Sequence, residues 1–134
     1  MSDVQNPNLK LTYSDYLGFP EDGDRHEVID GDHYRTPSPE SYHQVLVMKL
    51  AFQLYRQVEE PGNGRVFPAP LDVLLSRVDV VQPDLIVILE RNRDRIGPQN
   101  IQGAPDLVVE IISEIDRGPR PGPEEDPLCA VRRA

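Results

Sequence analysis

Apolar and polar positions along the chain change their period several times, and each change marks an element. Thr12 can cap a short helix through Leu17, which Gly18 and Pro20 stop. Glu21-Asp22-Gly23-Asp24 reads as a turn. His26-Glu27-Val28-Ile29 and His33-Tyr34-Arg35 flank Asp30-Gly31-Asp32, a hairpin pattern in which glycine supplies the positive φ. Ser38-Pro39-Glu40 is a helix start, with serine at the cap and proline at the first position. The spacing predicts a helix from about Pro39 to Glu60, stopped by Pro61-Gly62. Val45, Met48, Phe52 and Tyr55 form one apolar line on it, and Val47, Leu50, Leu54 and Val58 form another. A stripe this wide predicts a helix packed on more than one side. Arg65-Val66-Phe67 and Leu71-Asp72-Val73-Leu74-Leu75 are the next strands, broken by Pro68 and Pro70. Apolar runs at 80–89 and 106–112 follow, joined by a charge-rich stretch, 90–105, that reads as a linker or short helix. No internal repeat is visible. After Glu114 the periodicity ends among prolines and arginines, which predicts a disordered tail.

The interruptions in the two apolar runs carry the chemistry. Glu110 sits inside Leu107-Val108-Val109-Glu110-Ile111-Ile112, and Asp84 opens Leu85-Ile86-Val87-Ile88-Leu89. A carboxylate in an apolar strand is costly to bury unless it is paired, protonated or bound to a metal. Alternation places Glu110 on the face of Val108 and Ile112. If the two strands are neighbours, Asp84 and Glu110 can converge on one divalent cation. Magnesium takes one or two carboxylates, keeps several waters, and uses substrate phosphate as a further ligand, which suits phosphodiester hydrolysis. The residues alone leave a second reading open, in which Asp84 caps a turn and Glu110 is partly exposed at an edge. Glu27 is either a site acid or a salt-bridging residue of the hairpin. His43, in the first turns of the helix, reads more readily as a packing or capping residue. Gln82 could orient a water or simply end a strand. Asp106 follows Pro105 as Asp84 follows Pro83, but it lies in the same strand as Glu110 and is the poorer partner across a sheet.

Composition narrows the class. The 134 residues suffice for one domain with a modest core. No stretch approaches the roughly 18 apolar residues of a membrane helix. Residues 1–10 are polar and lack an apolar signal core, so a cytoplasmic location is expected. The single cysteine, Cys129, excludes an internal disulfide. A formal net charge of −9 argues against a broad electrostatic footprint for nucleic acid. It does not exclude a nuclease, because a cation can bridge acidic protein and phosphate locally.

Several segments, taken together, resemble the restriction endonuclease domain family of the PD-(D/E)XK nuclease superfamily. They are His26-Glu27-Val28-Ile29-Asp30-Gly31-Asp32, Pro37-Ser38-Pro39 with His43, Val66-Phe67-Pro68-Ala69-Pro70-Leu71-Asp72-Val73, Val81-Gln82-Pro83-Asp84-Leu85, and Gly103-Ala104-Pro105-Asp106-Leu107-Val108-Val109-Glu110-Ile111-Ile112-Ser113. They span about residues 12 to 114. The resemblance implies an α/β fold with a restriction-endonuclease-like mixed β-sheet flanked by helices. It also implies cleavage of DNA with Mg²⁺ or Mn²⁺. Asp84 and Glu110 would bind the metal, and Glu27 would be an additional acid near the site. On that basis the metal reading of Asp84 and Glu110 is preferred.

The chain departs from the family after Glu110. The superfamily uses a lysine to position the attacking water or to stabilise charge on the phosphate. Here Ile112 stands two residues after Glu110, and the lysines, Lys10 and Lys49, precede the acids. In this family the lysine lies on a later helix, in a pattern of basic residue, Leu, Tyr, Ala, then Gly-Val. Arg117 or Arg120 could supply charge only from a Pro-rich segment. Read one base later, codons for residues 122–134 can spell a basic pair followed by Thr-Leu-Tyr-Ala-Arg-Tyr-Gly-Val, with the basic pair and a Val/Ala position forced. That predicts a frameshift between about Ser113 and Gly122. The organisation expected is a lead-in over residues 1–10, an incomplete domain over 11–114, and a Pro/Arg-rich tail over 115–134, disordered or out of frame. The function expected is a Mg-dependent DNA endonuclease, impaired by loss of the lysine and of C-terminal elements, with room for a homodimer. The alternatives are a non-catalytic binding or interaction module and a product without a function.

Overall fold

The computed structural model describes residues 9–112 and 130–132. Helix α1 (Tyr13–Tyr16) begins at Thr12, whose backbone N–H donates to Asp15 Oδ2 at 2.8 Å. Strands β1 (Arg25–Ile29) and β2 (Asp32–Thr36) form the expected hairpin. Ile29 pairs with Asp32, so the loop is only Asp30-Gly31. Both have positive φ, 49° and 78°, which the Asp-Gly pair tolerates and the right-handed strand twist favours.

Helix α2 (Ser41–Leu54) continues into a π-helical turn, Tyr55–Glu59. It starts later than Ser38-Pro39 suggests. The Ser38 hydroxyl instead donates to the Gly23 carbonyl at 2.7 Å, and Glu40 takes the cap position. The helix also packs on one side only. Leu46, Val47, Leu50, Ala51 and Leu54 rest on Leu85, Val109 and Ile111, while Val45, Met48, Phe52 and Tyr55 are exposed.

Strands β3 (Gly64–Pro68), β4 (Asp72–Ser76), β5 (Asp79–Val81), β6 (Leu85–Leu89), β7 (Asn100–Gln102), β8 (Leu107–Glu110) and β9 (Ala130–Arg132) complete the described chain. The expected mixed sheet is present, and a second, antiparallel sheet accompanies it. One has the order β2-β1-β5-β4-β7, with β4 and β7 parallel; the other is β3-β6-β8-β9 and antiparallel. The apolar run at 80–89 is not one strand. It breaks at Gln82-Pro83-Asp84, where proline has no N–H to give a ladder, and the chain crosses from the first sheet to the second. The linker at 90–105 holds a 3₁₀ segment, Glu90–Arg95, and the short strand β7.

Strand β6 is the centre of the molecule, and Leu85 through Ile88 are buried. Ile86 and Ile88 pack with Val73 of β4 and Ile101 of β7 between the sheets. Leu85, on the other face, packs under α2. The layers are therefore α2, the antiparallel sheet, then the mixed sheet. The outer edge of β8 is paired with β9, where Glu110 stands opposite Ala130. The Pro/Arg-rich tail and the frameshift interval otherwise lie outside the described residues.

Candidate active site

The sheet crossing at Gln82-Pro83-Asp84 gathers four of the polar side chains that the sequence singles out: Asp84, Glu27, His43 and Gln82. Asp84 is buried, 5% exposed. Its Oδ2 accepts the Ile111 backbone N–H at 2.7 Å and lies 3.2 Å from His43 Nε2. Its Oδ1 lies 3.3 Å from Arg25 Nη1. Glu27 is also buried, and its Oε2 accepts the Gln82 backbone N–H at 2.8 Å. Arg25 stands between the two acids. Its Nη1 also donates to the Gln82 carbonyl at 3.0 Å, and its Nε lies 3.9 Å from Glu27 Oε1.

Asp84, Arg25, His43, Gln82 and Ile111 line a cavity of about 310 Å³, which also reaches Glu40 at the start of α2. Glu27 and Glu110 are not among its lining residues. Glu110 comes close through the backbone. Leu85 pairs with Val109, and the N–H of Ile111, next after Glu110, is the one Asp84 accepts. Among the described residues, no three His, Cys, Asp or Glu side chains are grouped to hold a metal ion.

The secondary candidates fall into place. Gln82 is held by its side chain, whose Nε2 donates to Asp72 Oδ1 at 2.7 Å and lies 2.6 Å from the Tyr16 hydroxyl. Tyr16 donates to Asp72 at 2.6 Å, and burial followed by that bond raises its hydroxyl pKa well above the usual phenol value. Asp106 sits at the far end of β8 and accepts from the Leu89 N–H at 2.7 Å, Asn92 at 2.9 Å and Arg91 at 3.2 Å. Burial opposes its ionisation, but those donors hold its carboxyl below the ordinary 3.8. It fastens the turn after β6 to the start of β8. His43, read from sequence as a packing residue, faces Asp84 instead. Arg25 was missed. Its spacing of two from Glu27 on a strand was the available signal, because it puts both on one face.

Comparison with known proteins agrees with this fold. Residues 13–120 match the model of the family Uma2, described as putative restriction endonuclease. No curated protein matches the chain. The crystal structure of a "putative nuclease belonging to DUF820" from Anabaena variabilis superposes with a TM-score of 0.65 at 23% identity, covering 81% of this chain and 61% of that one. The chain thus spans about three-fifths of that protein's length. No described helix is long and apolar enough to cross a membrane. The α/β architecture has the nuclease-like fold that the motifs implied, and the chain belongs to the Uma2 family of putative restriction endonucleases.

Proposed function

We propose that the chain is a divalent-metal-dependent DNA endonuclease by descent, acting on phosphodiester bonds in the cytoplasm and impaired as its sequence stands. The observation that carries this reading is Asp84, a buried carboxylate on the wall of a cavity, bonded to the amide that follows Glu110. The donor chemistry fits a hard cation, since Asp84 offers carboxylate oxygens beside a position where a positive charge, the Arg25 guanidinium, is already held. In this reading Asp84 and Glu110 would hold Mg²⁺ or Mn²⁺, and Glu27 is the additional acid. The ion, when bound, supplies an activated water and neutralises charge on the phosphate.

The chain's own residues do the positioning. His43 and the Ile111 amide fix the Asp84 carboxylate at the cavity wall, and Glu27 anchors the Gln82 backbone two residues before it. DNA is the substrate, and a homodimer would present one site to each strand of a duplex. Impairment follows from the lysines. Lys10 pairs with Asp30 at the hairpin turn and Lys49 is exposed on α2, so neither lines the cavity. One observation favours the second reading, a module that keeps the fold without cleaving. Three protein nitrogens already lie within 3.3 Å of the Asp84 carboxylate.

Nicking of supercoiled plasmid with Mg²⁺ separates these readings. The chain as it stands is expected to nick weakly or not at all. A version restored to the family frame after residue 113 is expected to nick, and to lose activity with Asp84→Asn or Glu110→Gln. A restored, correctly folded protein that leaves plasmid intact would refute the endonuclease reading.

A further inference from the structure

The Arg25 guanidinium occupies an unusual position. It lies on the cavity wall between two buried acids, with Nη1 3.3 Å from Asp84 and Nε 3.9 Å from Glu27. Its Nε is buried without a hydrogen-bond partner, although a guanidinium carries five donors in a rigid fork. A built-in structural arginine would have each buried donor matched. Here Nη1 donates to the Gln82 carbonyl at 3.0 Å and to Asp84 at 3.3 Å, but Nε faces Glu27 through charge alone, and a group held partly by charge can be displaced by another cation.

We propose that Arg25 is the resident counter-cation of this pocket, and that a divalent cation and its guanidinium exclude one another at Asp84. The proposal rests on the reading of Asp84 as a metal-binding residue. With Arg25 in place, one positive charge faces two carboxylates. A divalent ion at Asp84 would match both negative charges, and repulsion would then drive the guanidinium away. Because Arg25 also lines the cavity, the released fork stays where a phosphate can be gripped by two parallel N–H bonds. Arg25 is thus a positioning residue that guards the acids when no metal is bound and turns toward substrate when one is.

The test uses Mn²⁺ alone with the full chain, following free Mn²⁺ by electron paramagnetic resonance. Arg25→Met keeps the aliphatic stem and removes the charge. It is expected to bind Mn²⁺ at least tenfold more tightly than the unchanged chain, with the gain abolished by Asp84→Asn. Equal or weaker binding by Arg25→Met, with Asp84-dependent binding intact in both, overturns the role of Arg25 and leaves Asp84 as a metal ligand. No Mn²⁺ bound by either protein overturns both. If Arg25→Met does not fold, the unchanged chain decides. Its Arg25 Nε–H resonance is expected to shift in step with Mg²⁺ saturation, and a resonance that stays fixed as Mg²⁺ saturates refutes the exclusion.

Discussion

Replacing Asp84 by alanine tests whether the site is structurally balanced without any bound ligand. The substitution removes the acceptor of the Ile111 N–H, bonded at 2.7 Å, and the partner of Arg25 at 3.3 Å. A hydrogen bond to a charged group contributes about 1.5–3 kcal/mol. Breaking a buried ion pair from one side costs about 3–5 kcal/mol. The Asp84 side chain is 7% exposed and that of Arg25 24%, so the pair is close to buried but the arginine still reaches solvent. The two costs share one carboxylate and do not add. Arg25 also keeps the Gln82 carbonyl and Glu27. The low end therefore applies, and Asp84→Ala is expected to cost about 3 kcal/mol. Asp84→Asn keeps a carbonyl oxygen for Ile111 while losing the charge, and is expected to cost about 1–2 kcal/mol.

Urea unfolding followed by circular dichroism at neutral pH measures both, with an unchanged slope confirming that the native state is intact. The ordering matters as much as the size. A carboxylate kept only for function burdens the fold, and its removal commonly stabilises. Asp84→Ala as stable as the unchanged chain, or Asp84→Asn as damaging as Asp84→Ala, would refute the argument that Arg25, His43 and Ile111 balance this acid.

Three further outcomes follow from the same structure. His33 stacks on Phe19 at 4.2 Å and contacts His26 at 2.8 Å; partial burial, then the charges of His26 and Arg35, hold its pKa below the ordinary 6.5, against an opposing pull from Asp22. The unfolded chain therefore takes up that proton first, so stability is expected to fall as pH drops through 6.5, and His33→Gln should flatten that limb in thermal melts recorded across pH. Asp106 acts with the same sign in a more acidic range: its depressed carboxyl stabilises above the ordinary 3.8, and this is lost as pH falls through the folded value, so Asp106→Asn should reduce the acid dependence in the same melts. Ile86→Ala, at a fully buried position between the sheets, is expected to cost about 2–5 kcal/mol, whereas Met48→Ala, 71% exposed on α2, should change urea stability by under about 0.5 kcal/mol.

What the sequence made legible follows the strength of local rules. The β1–β2 hairpin was readable because Asp30-Gly31 suits one turn type. Strand β6 was readable because an unbroken apolar run can only be buried on both faces. Strand β7 was not, because Asn100-Ile101-Gln102 offers one apolar residue and no alternation to detect. The start of α2 was misplaced at Ser38, whose hydroxyl instead ties to Gly23, a contact 15 residues away that no local signature records. Asp84 stood out because an acid against an apolar strand demands a partner. Its partners did not stand out, since His43 comes from α2 and Arg25 from β1.

The break in the 80–89 run ties these points together. Pro83 ends one ladder, and the chain must cross between sheets at that point. A crossing leaves backbone groups without sheet partners, and here side chains take them. Glu27 accepts the Gln82 N–H, Arg25 donates to the Gln82 carbonyl, and Asp84 accepts the Ile111 N–H. Acids thus serve the crossing whether or not they serve catalysis. Losing Asp84 would therefore unfasten β8 from the crossing. Asp84 and Glu27 thus hold the crossing together through hydrogen bonds of their own, independently of any chemistry at the cavity.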